Sequence, residues 1–449
     1  MTEYTQKRKD LLHIIDCAIA AVSPESAMHA ALSLDGDILK VADVKYDLSE
    51  FARILVVGAG KASAPMARAL EAILDNRIQG GMIVTKYGHG LELKKITLTE
   101  SAHPVPDIAG EQAAHALLDI ARGATQKDLA FCLLSGGASA LVPAPHHPVT
   151  LDNKQTTTRL LLECGATINE INAVRKHLSE FKGGHLAKVL EPATVITLII
   201  SDVVGDHLDV IGSGPTAPDQ STFRDCLDIL TKYDLNNRIP GEVIKLLKDG
   251  ETGMAPETLK ADDSCFNRVR NVVIAGNAMA LNGAANAARE MGYAPIIVNA
   301  AMQGEAREMA KCLIREAGEA CECRMDTNPP ICLLAGGETT VTITGKGRGG
   351  RNQEMALAAA LELCGLSRYK ERISLACVGT DGNDGPTDAA GALVLPDTLS
   401  ASGAQNLSAR QHLADNNSYA FFTDTGTILK TGPTRTNVMD IAIILVDPA

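Results

Sequence analysis

With 449 residues the chain is too long for one ordinary core, and two domains of roughly 200 residues each are expected. Only 3% of the residues are aromatic and Trp is absent, so Ala, Val, Leu and Ile must fill the interior, which suits parallel strands packed under helices. A net charge of −12 disfavours nucleic acid or an anionic membrane as partner of the whole surface, so an anionic ligand needs a local cluster of Lys and Arg.

Helical periodicity covers 6–22, where His13 and Asp16 interrupt the apolar stretch LLHIIDCAIAAV and no small-residue cleavage site follows, so it reads as an amphipathic helix rather than a signal peptide. No run approaches the ~18 apolar residues of a membrane span. The eleven Cys are scattered, and the close pair Cys321 and Cys323 has no second pair at metal-site spacing. Reduced thiols and a cytoplasmic location are expected.

Ser23-Pro24-Glu25 supplies an N-cap and a first-turn Pro for a second helix to about residue 33. Strands and helices then alternate. RILVVGAG (53–60) reads as a strand ending in a glycine turn, KASAPMARALEAIL (61–74) as a helix, and GGMIVT (80–85) and KITLT (95–99) as strands. A helix at 108–122 precedes the strand and glycine turn LAFCLLSGG (129–137), and ASAL opens the next helix. Helices fill 151–190, TVITLII (194–200) is a strand, and the polar loop 201–219 is long enough to suggest a function. The polar stretch 220–270 carries the expected domain junction. A second series has strands at 271–277, 295–299, 331–337, 339–344, 373–382 and 439–446, with helices after 277, at 303–318 and from about 351. Such alternation argues for βαβ units and parallel sheets.

GAGKAS (58–63) resembles a dinucleotide-binding turn, in which glycines admit a pyrophosphate to a helix N-terminus and an acid after the second strand holds the ribose. Ser63 replaces the third glycine, and the second strand ends at Lys86 without a carboxylate. What remains is Gly58, Gly60 and Lys61 at a helix start, where a cation is unfavourable unless an anion shares the site. A plain turn with Lys61 solvated fits the same residues. In SGGASAL, Ser135, Gly136, Gly137 and Ser139 offer N–H groups and hydroxyls to a phosphate or carboxylate, or form a tight turn with a Ser cap. Of the basic residues Arg175, Lys176, His177 and Lys182, a solvated helix face accounts for all but Lys182, which stands beside the Gly183-Gly184 turn. Asp202, Asp206 and Asp209 follow a strand and are placed to hold Mg²⁺ or to cap and turn their loop.

GGETTVTITGKGRGGRNQE (336–354) puts Glu338 at a strand end and gathers Lys346, Arg348 and Arg351 at the start of a helix, where an untenanted helix would carry Asp or Glu. An anionic guest is therefore expected there. GTDGNDGPTDAAG (379–391) carries Asp381, Asp384 and Asp388 after a strand; they coordinate Mg²⁺ or accept a hydroxyl proton, or the segment is a turn-rich connection.

Taken in order, VVGAGKASAPMA, LLSGGASAL, VRKHLSEFKGGHLA, SDVVGDHLDVIGSGPTAPD, GGETTVTITGKGRGGRNQEMAL and GTDGNDGPTDAAGA resemble the glycerate 2-kinase family with its C-terminal MOFRL domain, over nearly the whole chain. The resemblance implies ATP-dependent phosphorylation of D-glycerate at its 2-hydroxyl. It implies two α/β domains with mostly parallel sheets, a Rossmann-like one at 1–235 and a second at 236–449 that includes the MOFRL region at about 330–445, with the site in the cleft between them. Lys61 and Arg351 match family active-site positions, and Asp381 is assigned with them to catalysis. Gly58, Gly60, Ser135, Gly136, Gly137, Ser139, Lys182, Asn277, Glu338, Arg348 and Asn352 are expected to bind nucleotide or acid, and Asp202 and Asp384 to hold Mg²⁺. Self-association as a homodimer stays open. Two rivals stand beside this reading: some relatives carry the label hydroxypyruvate reductase, which makes an NAD(P)H-dependent oxidoreductase one of them, and a non-catalytic sensor of sugar phosphates is the other.

Overall fold

The computed structural model describes residues 3–323, 329–366, 369–401 and 405–448. The chain forms two compact units, one of Ala27–Ile274 and one of Met1–Ser26 with Ala275–Ala449.

Two helices open the chain, α1 (Glu3–Ala21) and α2 (Pro24–Ala31), the second with Ser23 Oγ accepting the N–H of Ser26 at 3.2 Å. The strands β1 (Leu32–Asp35), β2 (Ile38–Val41) and β3 (Val44–Asp47) then form an antiparallel meander, which the sequence pattern did not reveal because each strand has only four residues. The main sheet of this unit is built from β4 (Arg53–Ala59), β5 (Ile78–Lys86), β6 (Thr97–Ser101), β7 (Asp128–Leu134), β8 (Thr194–Ile200) and β9 (Val269–Ala275). Their order is β6-β5-β4-β7-β8-β9, and the four ladders from β6 to β8 are parallel. β7 is buried along its whole length, and β4 and β8 at every residue but the first, as befits strands covered on both faces. Between the strands run α3 (Ser63–Leu74), α4 (Ile108–Arg122), α5 (Ala138–Leu141), α6 (Leu151–Glu163), α7 (Ile168–His177) and α8 (His185–Leu190), followed by α9 (Phe223–Lys232) and α10 (Gly241–Glu251). The segment 236–274, expected beyond the domain boundary, folds with this unit: Val243, Leu246 and Leu247 join Leu160, Val174, Phe223 and Leu230 in one apolar cluster.

The second unit contains α11 (Asn277–Glu290), β10 (Ala294–Met302), α12 (Ala306–Cys323), β11 (Ile331–Gly337), α13 (Arg351–Gly365), β12 (Ile373–Gly379), β13 (Gly391–Val394), α14 (Thr398–Ala401), α15 (Gln405–Ala414), α16 (Ser418–Asp424), β14 (Ile428–Leu429) and β15 (Asp440–Val446). Its sheet, in the order β10-β11-β15-β12-β13-β14, departs from the parallel expectation. Only β10 and β11 run parallel; the other four ladders are antiparallel, because the last strand of the chain inserts between β11 and β12 and runs against both. The expected strand at 339–344 is a loop with an isolated bridge between Glu305 and Thr340.

The N-terminal helix belongs to this second unit. It lies so close to α11 that a Cβ on Gly283 would stand 2.6 Å from Ala21 Cβ. Its polar anchor is Asp10, 6% exposed, which accepts the Tyr293 hydroxyl at 2.6 Å, while Lys7 pairs with Asp447. No single helix among the described residues is long and apolar enough to cross a membrane; the bent pair of α1 and α2 passes on composition, but its Leu11, Ile14, Ile15 and Ala18 are fully packed inside the protein. Tyr293→Phe leaves Asp10 with Gln6 as its remaining side-chain partner, and is expected to lower stability by about 1–3 kcal/mol, read as a drop in the thermal unfolding midpoint.

Candidate active site

Strands are added outward in opposite directions from β4 and β7, which run parallel, and open α/β sheets bind ligands beyond the carboxyl ends of the strands at such a switch point. GAGKAS follows β4 and SGGASAL follows β7, and the two turns are packed on each other. Ser135 Oγ accepts the N–H of Ala62 at 2.9 Å, the Gly136 carbonyl accepts the N–H of Lys61 at 2.9 Å, and the Ser63 hydroxyl donates to the Gly60 carbonyl at 2.8 Å. A Cβ on Gly60 would lie 2.1 Å from Ser135 Oγ, and one on Gly58 would lie 2.4 Å from the Leu133 carbonyl oxygen. These two glycines and Ser135 therefore lock the turns together; they do not offer a cradle to a ligand.

The open side of this corner belongs to the next residues. A Cβ on Gly136 would sit 2.0 Å from Asp202 Oδ2, and one on Gly137 would sit 3.0 Å from His103 and 3.4 Å from Lys61 Cγ. The structure thus gathers Lys61, His103, Gly136, Gly137 and Asp202. Burial, and after it the Lys61 charge, pushes His103 down to about 4, so its ring is neutral near pH 7. The Ser139 hydroxyl meets that of Ser213 at 2.8 Å, in the long loop where Gly212, Ser213 and Gly214 all take left-handed backbone. Elsewhere in that loop Asp209 is an ion-pair partner of Lys176 at 3.3 Å.

Lys182 is not available to a ligand. It is fully buried, its ammonium donates to the Val142 carbonyl at 3.2 Å, and burial holds its pKa far below the ordinary range. The turn after α7 carries it inward. Arg175, read from the sequence as solvated, instead lines a cavity of about 670 Å³ together with His103, Gly137, Ser139 and Lys154. Sequence spacing could not decide this, because both residues belong to one basic run and nothing local says which of them turns inward. Lys154 is 4% exposed, donates to the Pro143 carbonyl at 2.6 Å, and is pushed down to about 7 by burial and then by Arg175.

A second cluster sits at the strand ends in the middle of the other unit's sheet. Asp440, the first residue of β15, pairs in register with Gly337 at the end of β11 and Gly379 at the end of β12, and is completely buried. Arg351, the first residue of α13, grips it with Nε at 2.6 Å and Nη2 at 3.1 Å, and its Nη1 reaches Glu338 at 2.6 Å. Burial alone would lower the Arg351 pKa, but Asp440 and Glu338 outweigh it and the group is held more firmly protonated than usual. Burial lifts Asp440 to about 6 against the pull of Arg351. Asn352 Nδ2 adds a bond to Asp440 at 2.9 Å, and Asn277 Nδ2 donates to the carbonyls of Val438 and Asp440, both at 2.9 Å.

Asp384 is the acid that the start of α13 was expected to lack. Its carboxylate accepts the N–H of Asn352 at 3.0 Å and that of Gln353 at 2.8 Å, and it is 2% exposed. This helix cap comes from the 379–391 loop rather than from the helix itself, which is why no local pattern disclosed it. With both oxygens engaged by donors, Asp384 does not fit the metal role expected of it. Among the described residues no group of three or more His, Cys, Asp or Glu is placed to hold a metal ion. Asp388 is likewise taken up, by Lys430 and the Tyr419 hydroxyl, each at 2.7 Å.

The glycines of the GKGRGG loop have a packing reason too. A Cβ at Gly345, Gly347 or Gly350 would fall 2.3 Å from Asp415, Asn417 or Asp384 respectively, and at Gly349 2.2 Å from Ser418. Asn416 Oδ1 accepts the N–H groups of Thr344 and Gly345 at 2.8 and 2.9 Å, and Asn417 Oδ1 accepts that of Arg348. The loop is therefore clamped along 415–418. Arg348 donates to the Pro386 carbonyl at 3.0 Å and lies over the Tyr419 ring, while Lys346 is exposed. Arg351, Asp381, Asn383, Gly349 and Asn416 line a cavity of about 370 Å³. The sequence reading missed Asp440 and Asn416; the signal for the first was an acid heading the otherwise apolar strand DIAIILV.

These two clusters define an α/β protein whose cations gather where the strands of its sheets end. Residues 10–248 match a family model described as a domain of unknown function, DUF4147, and residues 331–440 match the MOFRL family. The chain is 40% identical to glycerate 2-kinase of Pyrococcus horikoshii, an alignment covering 97% of this chain and 96% of that one. It is 38% identical to the glycerate kinase of Homo sapiens, covering 97% and 92%. A protein of Agrobacterium vitis named putative hydroxypyruvate reductase is 39% identical, covering 98% and 94%. The crystal structure of glycerate kinase from Thermotoga maritima matches with a TM-score of 0.85 at 36% identity, covering 98% of this chain and 100% of that one. The chain belongs to the glycerate 2-kinase family.

Gly350→Ala is expected to push Asp384 off the start of α13 at a cost of about 1–3 kcal/mol, seen as a lower unfolding midpoint. Lys154 supplies a pH test. In the native protein it loses its proton near 7, whereas in the unfolded chain it holds it to about 10.4, so the unfolded state binds more protons between those values and this residue makes stability rise with pH across them. The groups facing it are Arg175, Lys182, His146 and Glu111. Lys154→Met should flatten that slope in urea unfolding at pH 7 and pH 9.

Proposed function

We propose that the protein is a glycerate 2-kinase, transferring the terminal phosphoryl group of ATP to the 2-hydroxyl of D-glycerate to give 2-phosphoglycerate and ADP. The observation that supports this best is full-length likeness, at 36–40% identity, to proteins named glycerate kinase from an archaeon, a bacterium and a vertebrate.

Phosphoryl transfer needs positioning and charge neutralisation more than covalent help. The 2-hydroxyl oxygen attacks the terminal phosphorus, the bond to the bridging oxygen of ADP breaks, and the hydroxyl proton must leave. Arg351 uses three of its five N–H donors on Asp440 and Glu338, which leaves two for the substrate carboxylate, a match that a guanidinium makes better than an ammonium. Asp381 is half-buried and lines the smaller cavity with Arg351, and in this reading it orients the 2-hydroxyl and receives its proton. Lys61 meets the charge of the transferred group. Mg²⁺ bound to the triphosphate would neutralise its oxygens, and Asp202, over the Gly136 turn, is the acid that would hold it.

Protein fills the space at Gly58 and Gly60, which argues against a dinucleotide cofactor; Lys86 at the end of β5, in place of a ribose-binding acid, argues against NAD⁺ in particular, while a lysine there could meet an NADP 2′-phosphate. The test is to supply D-glycerate with ATP and Mg²⁺, or with NAD⁺ or NADP⁺. ADP should form in the first mixture and reduced nicotinamide in neither; reduced nicotinamide without ADP overturns the kinase assignment. Arg351→Lys keeps a charge on Asp440 but loses the fork, and is expected to reduce kcat/KM for glycerate by about 100-fold, roughly 2.7 kcal/mol. Asp381→Asn should lower kcat more than it raises KM.

A further inference from the structure

The cavity on which Arg175 opens has two unlike walls. Val105, Leu162 and Ile168 line it, and each of these apolar side chains is more than half exposed. Exposed apolar groups gathered at one concavity mark a binding surface more often than a stability feature. The other wall is cationic. Among the described residues no carboxylate pairs with the Arg175 guanidinium, and no side-chain or backbone oxygen accepts from it. Its basic neighbours are Lys154 and Lys182, and the nearby His103 feels its positive charge as well. Asp152, exposed, is the one acid among the lining residues, and it makes no ion pair with Arg175.

Like charges drawn together away from water destabilise one another, and the fold has relieved this by tying Lys154 and Lys182 to main-chain carbonyls. Arg175 has no such relief, because a guanidinium does not surrender its proton. A volume of about 670 Å³ is also far more than a three-carbon acid fills, while it lies within the ordinary range for a drug-sized ligand. The occupant that satisfies both walls has a flat apolar body and an anionic tail.

We propose that this cavity seats the purine nucleotide: Val105, Leu162 and Ile168 cover the base, and Arg175, with Gly137 and Ser139, receives the phosphates on the side where Lys61 stands. The assignment rests on the kinase reading and adds to it that the unit Ala27–Ile274 holds ATP, which leaves the smaller Arg351 cavity for the acid. Arg175 is then a specificity residue for the donor substrate.

The test uses the full chain with three variants, Ile168→Asp, Arg175→Ala and Arg175→Lys, each checked for an unchanged thermal midpoint, and titrates a fluorescent ATP analogue alongside steady-state kinetics. Ile168→Asp and Arg175→Ala should raise KM for ATP and the analogue's Kd by about tenfold or more, with KM for glycerate within about twofold of the parent and partial recovery in Arg175→Lys. A rise in KM for glycerate with ATP unaffected would overturn the assignment, as would folded variants that bind the analogue like the parent. Failure of the kinase reading looks different: the unsubstituted protein would form no ADP at all. If Arg175→Ala does not fold, Ile168→Asp, a change at an exposed position, decides alone.

Discussion

A carboxylate buried between two strand ends governs the C-terminal half of the molecule. Asp440 has no exposure, and placing an ionised acid there would cost several kcal/mol if it stood alone. The bidentate grip of Arg351 and the amide of Asn352 are what make the position tolerable. The consequence runs outward. Because Arg351 is the first residue of α13, the ion pair fixes where that helix starts, which way its N-terminus faces, and how Glu338 closes over it. A cation at a helix N-terminus opposes the helix dipole, and here the opposition is offset by acids drawn from two other segments, Asp440 from the last strand and Asp384 from the 379–391 loop.

That arrangement changes what a glycine-rich, cation-rich loop means. Such a segment suggests a flexible strap waiting for phosphate. In this protein each of Gly345, Gly347, Gly349 and Gly350 is small because another part of the chain occupies the space a side chain would need. The same holds at Gly58 and Gly60, whose role is to let two neighbouring βα turns lock together. The loops are packed supports, and Lys61 beside one and Arg351 at the end of the other stand on backbone held by these contacts. Pre-organised charge of this kind is what phosphoryl transfer requires, since reorganisation at the moment of reaction would forfeit much of the stabilisation.

Much of the first sheet was legible because its signals are local. Buried parallel strands are unbroken apolar runs, and glycine turns punctuate their carboxyl ends, so β4, β7 and β8 fell within a residue or two of the reading. The second sheet was not legible in the same way. Nothing in DIAIILV says that it will insert between two earlier strands and run against them, and nothing in 32–47 distinguishes three four-residue strands from a loop. Among site residues, Lys61 and Arg351 stood out by their unfavourable placement at helix starts. The burial of Lys182 and the place of Arg175 on a cavity wall were not legible, because a count of basic residues along a helix does not tell which one the following turn folds inward. Asp384 was noticed as an acid in a loop, but its purpose depends on a helix some thirty positions away, and only tertiary structure supplies that partner.

The two units handle their cations by opposite rules. On the second, Arg351 is bound to the protein acids Asp440 and Glu338, so its charge is largely spent within the fold and two of its N–H donors remain free of these acids. On the first, among the described residues Arg175 has no acid partner, and burial and then the Arg175 charge push Lys154 down to about 7. A group of the first kind selects shape, since the fork can meet only a planar acid in one direction; a group of the second kind selects charge, since any dense anion relieves it. Glycerate and ATP differ in this way, one a small planar carboxylate and the other a densely charged chain. On a molecule of net charge −12, the unpaired cluster is also the point toward which a polyanion would be drawn against the general field.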